Sequence, residues 1–214
     1  MKILVKNLVA ALSLTILACL PARATLVLDL TGGGSAASCD TCGVSGETFG
    51  WSFRVNNTIK IDGLGVWDNS SNGIGPSTQV GLWTSSGSLL GSTTVSNTSS
   101  VVASASNQGS WLLESISALT LTPGDYLLGA LFFSNTPLSQ IGSTFTNIAD
   151  ITVGGGVRQG NSNTGFAAPL ASFIQPIFGP TMHLQDANQV PEPAGLALVS
   201  LGLLCVAARR RRST

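Results

Sequence analysis

The sequence is poor in charge, and most of its few basic residues lie at its two ends. Charged residues make up 9% of the 214 residues. Between positions 25 and 190 the only basic residues are Arg54, Lys60 and Arg158, against nine acidic ones, which gives this region a net charge of −6. So few basic side chains cannot neutralise a phosphate backbone or attract anionic lipid head groups. We therefore expect no binding to nucleic acid.

Histidine occurs only once, at His183, and this limits the kinds of histidine-dependent active site that the chain could form. A Ser-His-Asp triad, a zinc hydrolase site or a histidine acid–base pair would have to use this residue. It stands between Met182 and Leu184 in a strand-like segment, where we expect a hydrogen-bonded or exposed ring. The sequence also contains no G-x-S-x-G or H-E-x-x-H motif. We therefore expect no enzyme.

Carboxylates are the remaining route to catalysis, since glycoside hydrolysis needs two acids that face each other across a cleft. Glu114 is the best candidate because it follows the apolar start of a strand at 111–113. The alternative, which we favour, is that Glu114 points to solvent.

The C-terminal segment combines a short motif, an apolar run and a basic cluster. The run 194–208 carries no charge. As a helix, its roughly 15 residues would span ~22 Å, which is less than the ~30 Å hydrocarbon core of a bilayer. Basic residues after such a run favour a cytoplasmic C-terminus, and the short span suits a temporary hold better than a permanent tail anchor. The flanking residues are Val190, Pro191, Glu192 and Pro193 before the run, and Arg209, Arg210, Arg211 and Arg212 after it.

This combination closely resembles the PEP-CTERM sorting signal of Gram-negative bacteria. The resemblance implies that a membrane-embedded exosortase processes the chain near Pro191–Pro193, while the tail holds it transiently in the inner membrane. It further implies delivery of the mature protein to the cell surface or to the exopolysaccharide matrix.

The N-terminus has the features of a signal peptide. Lys2 and Lys6 precede the apolar stretch 8–20, and small residues at Ala22 and Ala24 form a signal peptidase site before Thr25. Lipidation at Cys19 is the alternative, which Leu17 disfavours because such sites usually have a small residue there. We therefore divide the chain into a signal peptide (1–24), a body (25–189) and a sorting segment (190–214).

The body shows period-two alternation of apolar residues and no long helical pattern. Phe49, Trp51, Phe53 and Val55 share one face of a predicted strand. We predict a hairpin over 79–95 and a second strand pair, 111–121 with 125–133, joined by a turn at 122–125. The fold class is therefore an all-β antiparallel sandwich, jelly-roll-like, with an N-terminal signal helix and a short C-terminal transmembrane helix. The other predicted strands are 26–30, 58–67, 143–146, 151–153 and 182–184.

The segment from Gly46 to about Ser134 carries a second resemblance. Its most specific part is the Gly81-Leu82-Trp83 strand followed by the Ser-Gly-Ser-Leu-Leu sequence at 86–90. It looks like a jelly-roll-type β-sandwich module of unknown function that is common in extracellular bacterial proteins. This resemblance implies the fold and an extracellular setting, and it carries over no catalytic residues.

Two of the four cysteines, Cys39 and Cys42, belong to the body. In an oxidising compartment this spacing favours a local disulfide. A redox-active C-x-x-C would normally begin a helix, whereas glycine-rich flanks here indicate a loop. Zinc binding or free thiols remain open alternatives.

Two further features suggest ligands. Asp68, Ser70 and Asn72 stand at alternate positions before Gly73, as in the first half of a calcium loop, but position twelve is Gln79 instead of an acid. A polar loop is the alternative to calcium, the only cofactor that the sequence suggests. Sugars stack on exposed aromatic rings, although burial is the usual state in strands. The rings concerned are Trp51, Trp67, Trp83, Trp111 and Tyr126.

The sequence as a whole predicts an exported surface or matrix protein whose sandwich has a non-catalytic, structural or adhesive role. The first alternative is a module that binds extracellular polysaccharide, and the second is a secreted carbohydrate-active hydrolase.

Overall fold

The computed structural model describes residues 25–39, 42–134, 137–160, 165–175 and 177–185 of the body, and for residues 37 and 137–141 the backbone alone. Within these residues the chain forms thirteen strands and no helix. The all-β prediction is therefore confirmed. The strands are β1 (Thr25–Leu26), β2 (Leu28–Ser38), β3 (Glu47–Val55), β4 (Ile59–Asn69), β5 (Thr78–Thr84), β6 (Leu89–Val95), β7 (Ser100–Ala103), β8 (Gly109–Leu121), β9 (Gly124–Phe132), β10 (Pro137–Asn147), β11 (Ile151–Arg158), β12 (Ala171–Phe173) and β13 (Pro180–Leu184).

Most strands belong to two antiparallel sheets. One has the order β1-β13-β4-β8-β7, the other has the order β12-β11-β3-β9-β5-β6, and β10 and β2 form a separate two-stranded ribbon. Strand β3 pairs with β9 in one sheet while β4, the next strand along the chain, pairs with β8 in the other. Such nested pairs, alternating between two sheets, are the arrangement of a jelly roll.

The core is built from the alternating residues that defined the strands in the sequence. Trp51, Phe53 and Val55 of β3 are buried together with Ile61 and Leu64 of β4, although the two strands lie in different sheets. A single hydrophobic cluster therefore joins both sheets. This burial of the apolar face, repeated along each strand, is the main stabilising contribution to a sandwich.

The predicted pairing of 111–121 with 125–133 is wrong, although both strands and the turn between them exist. Strand β8 pairs with β4 and β7, whereas β9 pairs with β3 and β5. The turn crosses from one sheet to the other, and Tyr126 Oη closes it by donating a 2.8 Å hydrogen bond to the Thr122 carbonyl. Alternation determines which face of a strand is buried but leaves its neighbour in the sheet undetermined.

The predicted hairpin over 79–95 is confirmed, since β5 pairs with β6 and the Thr84 amide donates to the Ser88 carbonyl. Gly81 in this hairpin is required by packing. A Cβ at this position would lie 2.5 Å from the Trp83 ring and 2.6 Å from Phe166. The segment around Phe166 thus covers a second small cluster, formed by Trp83, Leu127 and Val157. The short strands β7 and β12 were not predicted.

Candidate functional site

The predicted processing sites lie largely outside the described residues. The signal peptide with Ala22 and Ala24, the motif Val190–Pro193 and the basic residues Arg209–Arg212 all belong to this undescribed part. Thr25 is described and pairs with Leu184, so the two ends of the body meet at one edge of the five-stranded sheet. None of the described residues belongs to a helix long and apolar enough to cross a membrane.

The predicted calcium loop forms the connection after β4. Asp68 is buried, and both of its carboxylate oxygens accept a hydrogen bond from the Gly73 amide at 3.0 Å. Ser70 adopts a positive φ of 67°, and both Ser70 and Asn72 are exposed. The one carboxylate of the loop therefore holds the loop's own backbone, and calcium binding stays a prediction.

We expected Glu114 to point into open solvent, but the structure shows it half-buried. Its Oε1 accepts a 2.6 Å hydrogen bond from Ser99 Oγ, and Ser99 Oγ in turn accepts from the Ser96 amide. The carboxylate thereby fixes the connection between β6 and β7.

His183 is hydrogen-bonded, as expected for a strand histidine. Its Nδ1 lies 2.5 Å from Asp62 Oδ1, on the neighbouring strand β4, and both side chains are partly exposed. Gly63 pairs directly with His183, and a Cβ on Gly63 would lie 3.0 Å from the His183 Cβ. Asp62 thus links β4 to the neighbouring strand β13.

The aromatic rings that could stack on sugars are buried. All four tryptophans are at most 3% exposed, and Tyr126 is 9% exposed. An edge-to-face contact joins Trp67 and Trp111, whose ring centroids lie 5.1 Å apart. These rings belong to the core or, for Trp83, to the second small cluster, so none of them presents a flat face to a ligand.

Cys39 and Cys42 are joined by a disulfide, with their Cα atoms 5.5 Å apart. Both cysteines are buried and precede a turn at 43–45. The spacing in the sequence predicted this local bridge, and the absence of a helix after it among the described residues agrees with a structural bond.

A buried ion pair was missed by the sequence reasoning. Glu47 is fully buried, and its carboxylate accepts two hydrogen bonds from Arg158, at 2.8 and 2.9 Å, and a third from the Gly160 amide. The guanidinium also lies over the rings of Phe49 and Phe173. The paired residues are 111 positions apart, and the sequence contains no local signal for such a contact.

A second carboxylate, Asp29, joins three distant groups. It accepts hydrogen bonds from Ser104 Oγ at 2.6 Å, from the Ala105 amide at 2.8 Å and from Trp111 Nε1 at 2.8 Å. The indole nitrogen of the neighbouring Trp67 is buried and has no acceptor among the described residues. Asp29 therefore fastens β2 to the connection between β7 and β8.

The connection between β7 and β8 forms one wall of a surface cleft of about 480 Å³, which we call the amide cleft. Residues 34–36 of β2 form the opposite wall, and the loop after β4 closes it. Its polar side chains are uncharged: Ser35, Asn69, Ser70, Asn107 and Gln108. A smaller cleft of about 290 Å³ lies between β10 and β11 and is lined by Phe145, Phe178 and Gln175 among others.

The comparisons with known proteins identify the tail. Residues 189–212 match the PEP-CTERM protein-sorting motif, which agrees with the predicted segment 190–214. No curated protein and no solved structure matches the chain. The motif implies export, transient membrane attachment and processing by an exosortase. The chain is therefore an exported protein that carries a PEP-CTERM sorting motif behind an all-β body.

Proposed function

We propose that the body acts at the cell surface or in the extracellular matrix as a non-catalytic, structural or adhesive β-sandwich. The observation that carries this proposal is the use of its acidic side chains. Five carboxylates each accept a hydrogen bond from another part of the protein and so help to hold the sandwich together. These are Asp29 with Trp111, Glu47 with Arg158, Asp62 with His183, Asp68 with Gly73 and Glu114 with Ser99.

The composition of the surface supports the same role. The body contains few Lys and Arg residues, and many of its exposed strand positions are Ser or Thr, such as Ser115, Ser117 and Thr120 of β8. Hydroxyl groups on such a surface keep it hydrated, and they can exchange hydrogen bonds with the hydroxyl groups of a surrounding matrix. Such a surface suits a protein that is surrounded by hydrated matrix.

The sorting part of the proposal is tested by the intact mass of the protein recovered from the envelope of its source bacterium. We expect a chain that begins at Thr25 and ends near Pro191–Pro193. A protein that retains residues 194–208 would contradict processing. The matched control replaces Pro191, Glu192 and Pro193 with alanine, which should leave the chain unprocessed and in the inner-membrane fraction.

The role of the body is tested by deleting the gene and restoring it with wild-type or variant chains. We expect the deletion to reduce retention of matrix at the cell surface, and Glu114→Gln to restore it fully. Glycan cleavage by the wild-type protein that is lost in Glu114→Gln would instead favour the hydrolase.

A further inference from the structure

We propose that the amide cleft binds a neutral saccharide unit of an extracellular polysaccharide. The inference rests on the proposed function and names the chemical class through which the body would adhere. The cleft is formed by residues 34–36 of β2, by Asn69 at the end of β4 with Ser70 after it, and by Asn107 and Gln108 before β8.

The walls of the cleft are held in place before any ligand arrives. The Ser70 amide donates a 2.7 Å hydrogen bond to the Gln108 carbonyl, which joins two of the walls. Asp29, near the start of β2, accepts hydrogen bonds from Ser104 and the Ala105 amide, and Ser35 and Ala36 farther along β2 pair with β10, which holds the third wall. Walls fixed in this way reduce the entropy that binding would otherwise lose.

The side chains of the cleft match hydroxyl groups. An amide presents a donor and an acceptor side by side, and a serine hydroxyl can do either, so both pair with the hydroxyls of a sugar ring. Ser35 and Asn107 make no side-chain hydrogen bond within the described part of the chain. Their polar atoms are thus available at the surface of the cleft.

Charge decides between neutral and acidic glycans. The polar lining of the cleft contains no charged side chain, and two carboxylates on the strands that form it, Asp29 and Asp68, already accept hydrogen bonds from the protein. The body as a whole carries a net charge of −6. An anionic saccharide would therefore meet repulsion and find no basic partner, whereas a neutral one meets neither difficulty.

The size of the cleft and the burial of the aromatic rings set the expected affinity. A volume of about 480 Å³ lies within the range of ~300–1,000 Å³ that is usual for small-molecule sites. No tryptophan face is exposed to add stacking, since all four are at most 3% exposed. Binding by hydrogen bonds alone should be weak, with a Kd of roughly millimolar order, and strengthened by repeated units along a polysaccharide.

The experiment uses the processed protein isolated from its native envelope and immobilised densely on a biosensor. The probes are tetrasaccharides of glucose, galactose and mannose, with tetragalacturonate as the anionic counterpart. The test variants are Asn107→Ala/Gln108→Ala, which removes two amides, and Ser35→Trp, which fills the cleft from an exposed position. Two single variants serve as matched glutamine controls: Gln79→Ala on an exposed strand position and Gln175→Ala in the smaller cleft.

We expect a neutral tetrasaccharide to bind and the two cleft variants to weaken it roughly tenfold or more, with both controls within about twofold of wild type. Thermal unfolding should show that all four variants remain folded. Absence of neutral binding to the wild type, preference for tetragalacturonate, or equal losses in Gln175→Ala and the cleft variants would each overturn the proposal. If the protein supports retention of matrix at the cell surface but binds no saccharide, the cleft proposal alone is refuted. If it binds saccharide but does not support retention of matrix at the cell surface, the proposed function is refuted.

Discussion

The paired tryptophans Trp67 and Trp111 allow one buried hydrogen bond to be measured against an internal control. They face each other across β4 and β8, and each is at most 2% exposed. Trp111 Nε1 donates to Asp29 at 2.8 Å, whereas Trp67 Nε1 has no acceptor among the described residues. We therefore expect Trp111→Phe to destabilise the protein much more than Trp67→Phe.

The magnitude follows from the difference between the two sites. Both substitutions remove the same part of the ring from the same packed pair, so their packing costs largely cancel in the comparison. Trp111→Phe also loses a hydrogen bond to a charged acceptor, worth about 1.5–3 kcal/mol, while Trp67→Phe removes a buried donor that was unpaired. The free energies of unfolding should therefore differ by roughly 2–4 kcal/mol. At about 2–4 °C per kcal/mol, the difference in Tm is readily measured.

The assay is urea unfolding of the exported body, residues 25–189, with its disulfide intact. Far-UV circular dichroism is the appropriate signal, because both substitutions alter tryptophan fluorescence. Equal free energies of unfolding for the two variants, within about 0.5 kcal/mol, would refute the reasoning. That result would mean that the Asp29 contact contributes nothing net, or that Trp67 Nε1 is paired in solution.

Three further changes test the other structural carboxylates and the disulfide. Glu47→Gln should cost about 3–5 kcal/mol in urea unfolding, because it leaves the Arg158 charge without its buried partner; a loss below 1 kcal/mol would argue against the ion pair. Asp68→Ala should cost about 1–3 kcal/mol, since the Gly73 amide loses its acceptor, and the cost should be the same in chelator as in calcium. A calcium-dependent rise in the Tm of the wild type alone would instead establish the predicted calcium loop. Replacing Cys39 and Cys42 with serine should cost about 2 kcal/mol, because so short a loop removes little entropy from the unfolded chain, and unfolding below room temperature would contradict this estimate.

Most of the strands could be predicted from the sequence because the alternation of apolar residues is a local pattern. Alternating residues such as Phe49, Trp51 and Phe53 show which face of a strand will be buried, and the structure buries that face. Which strands pair with each other in a sheet could not be predicted from the sequence. The turn at 122–125 looked like a hairpin connection, yet it carries the chain across the sandwich, because β8 finds its partners in β4 and β7.

For the candidate sites, too, the sequence showed local features but not contacts between distant residues. The calcium-like loop, Glu114 and His183 were recognised by residue type, but their hydrogen-bond partners were not. Asp29 reaches Ser104 and Trp111, which are 75 and 82 positions away. Contacts between residues so far apart in the sequence depend on how the sheets pack against each other, so no short sequence motif predicts them.

The sequence by itself determined that the protein is exported with a sorting motif, and it determined the class of its fold. A sorting motif is a contiguous segment that processing enzymes read in the order of its residues, and strand alternation is likewise a local property. The tertiary structure alone decided which strands pair, which carboxylates hold structural partners and where the amide cleft lies. These features join residues from distant parts of the chain, and their geometry arises only when both sheets pack on one core.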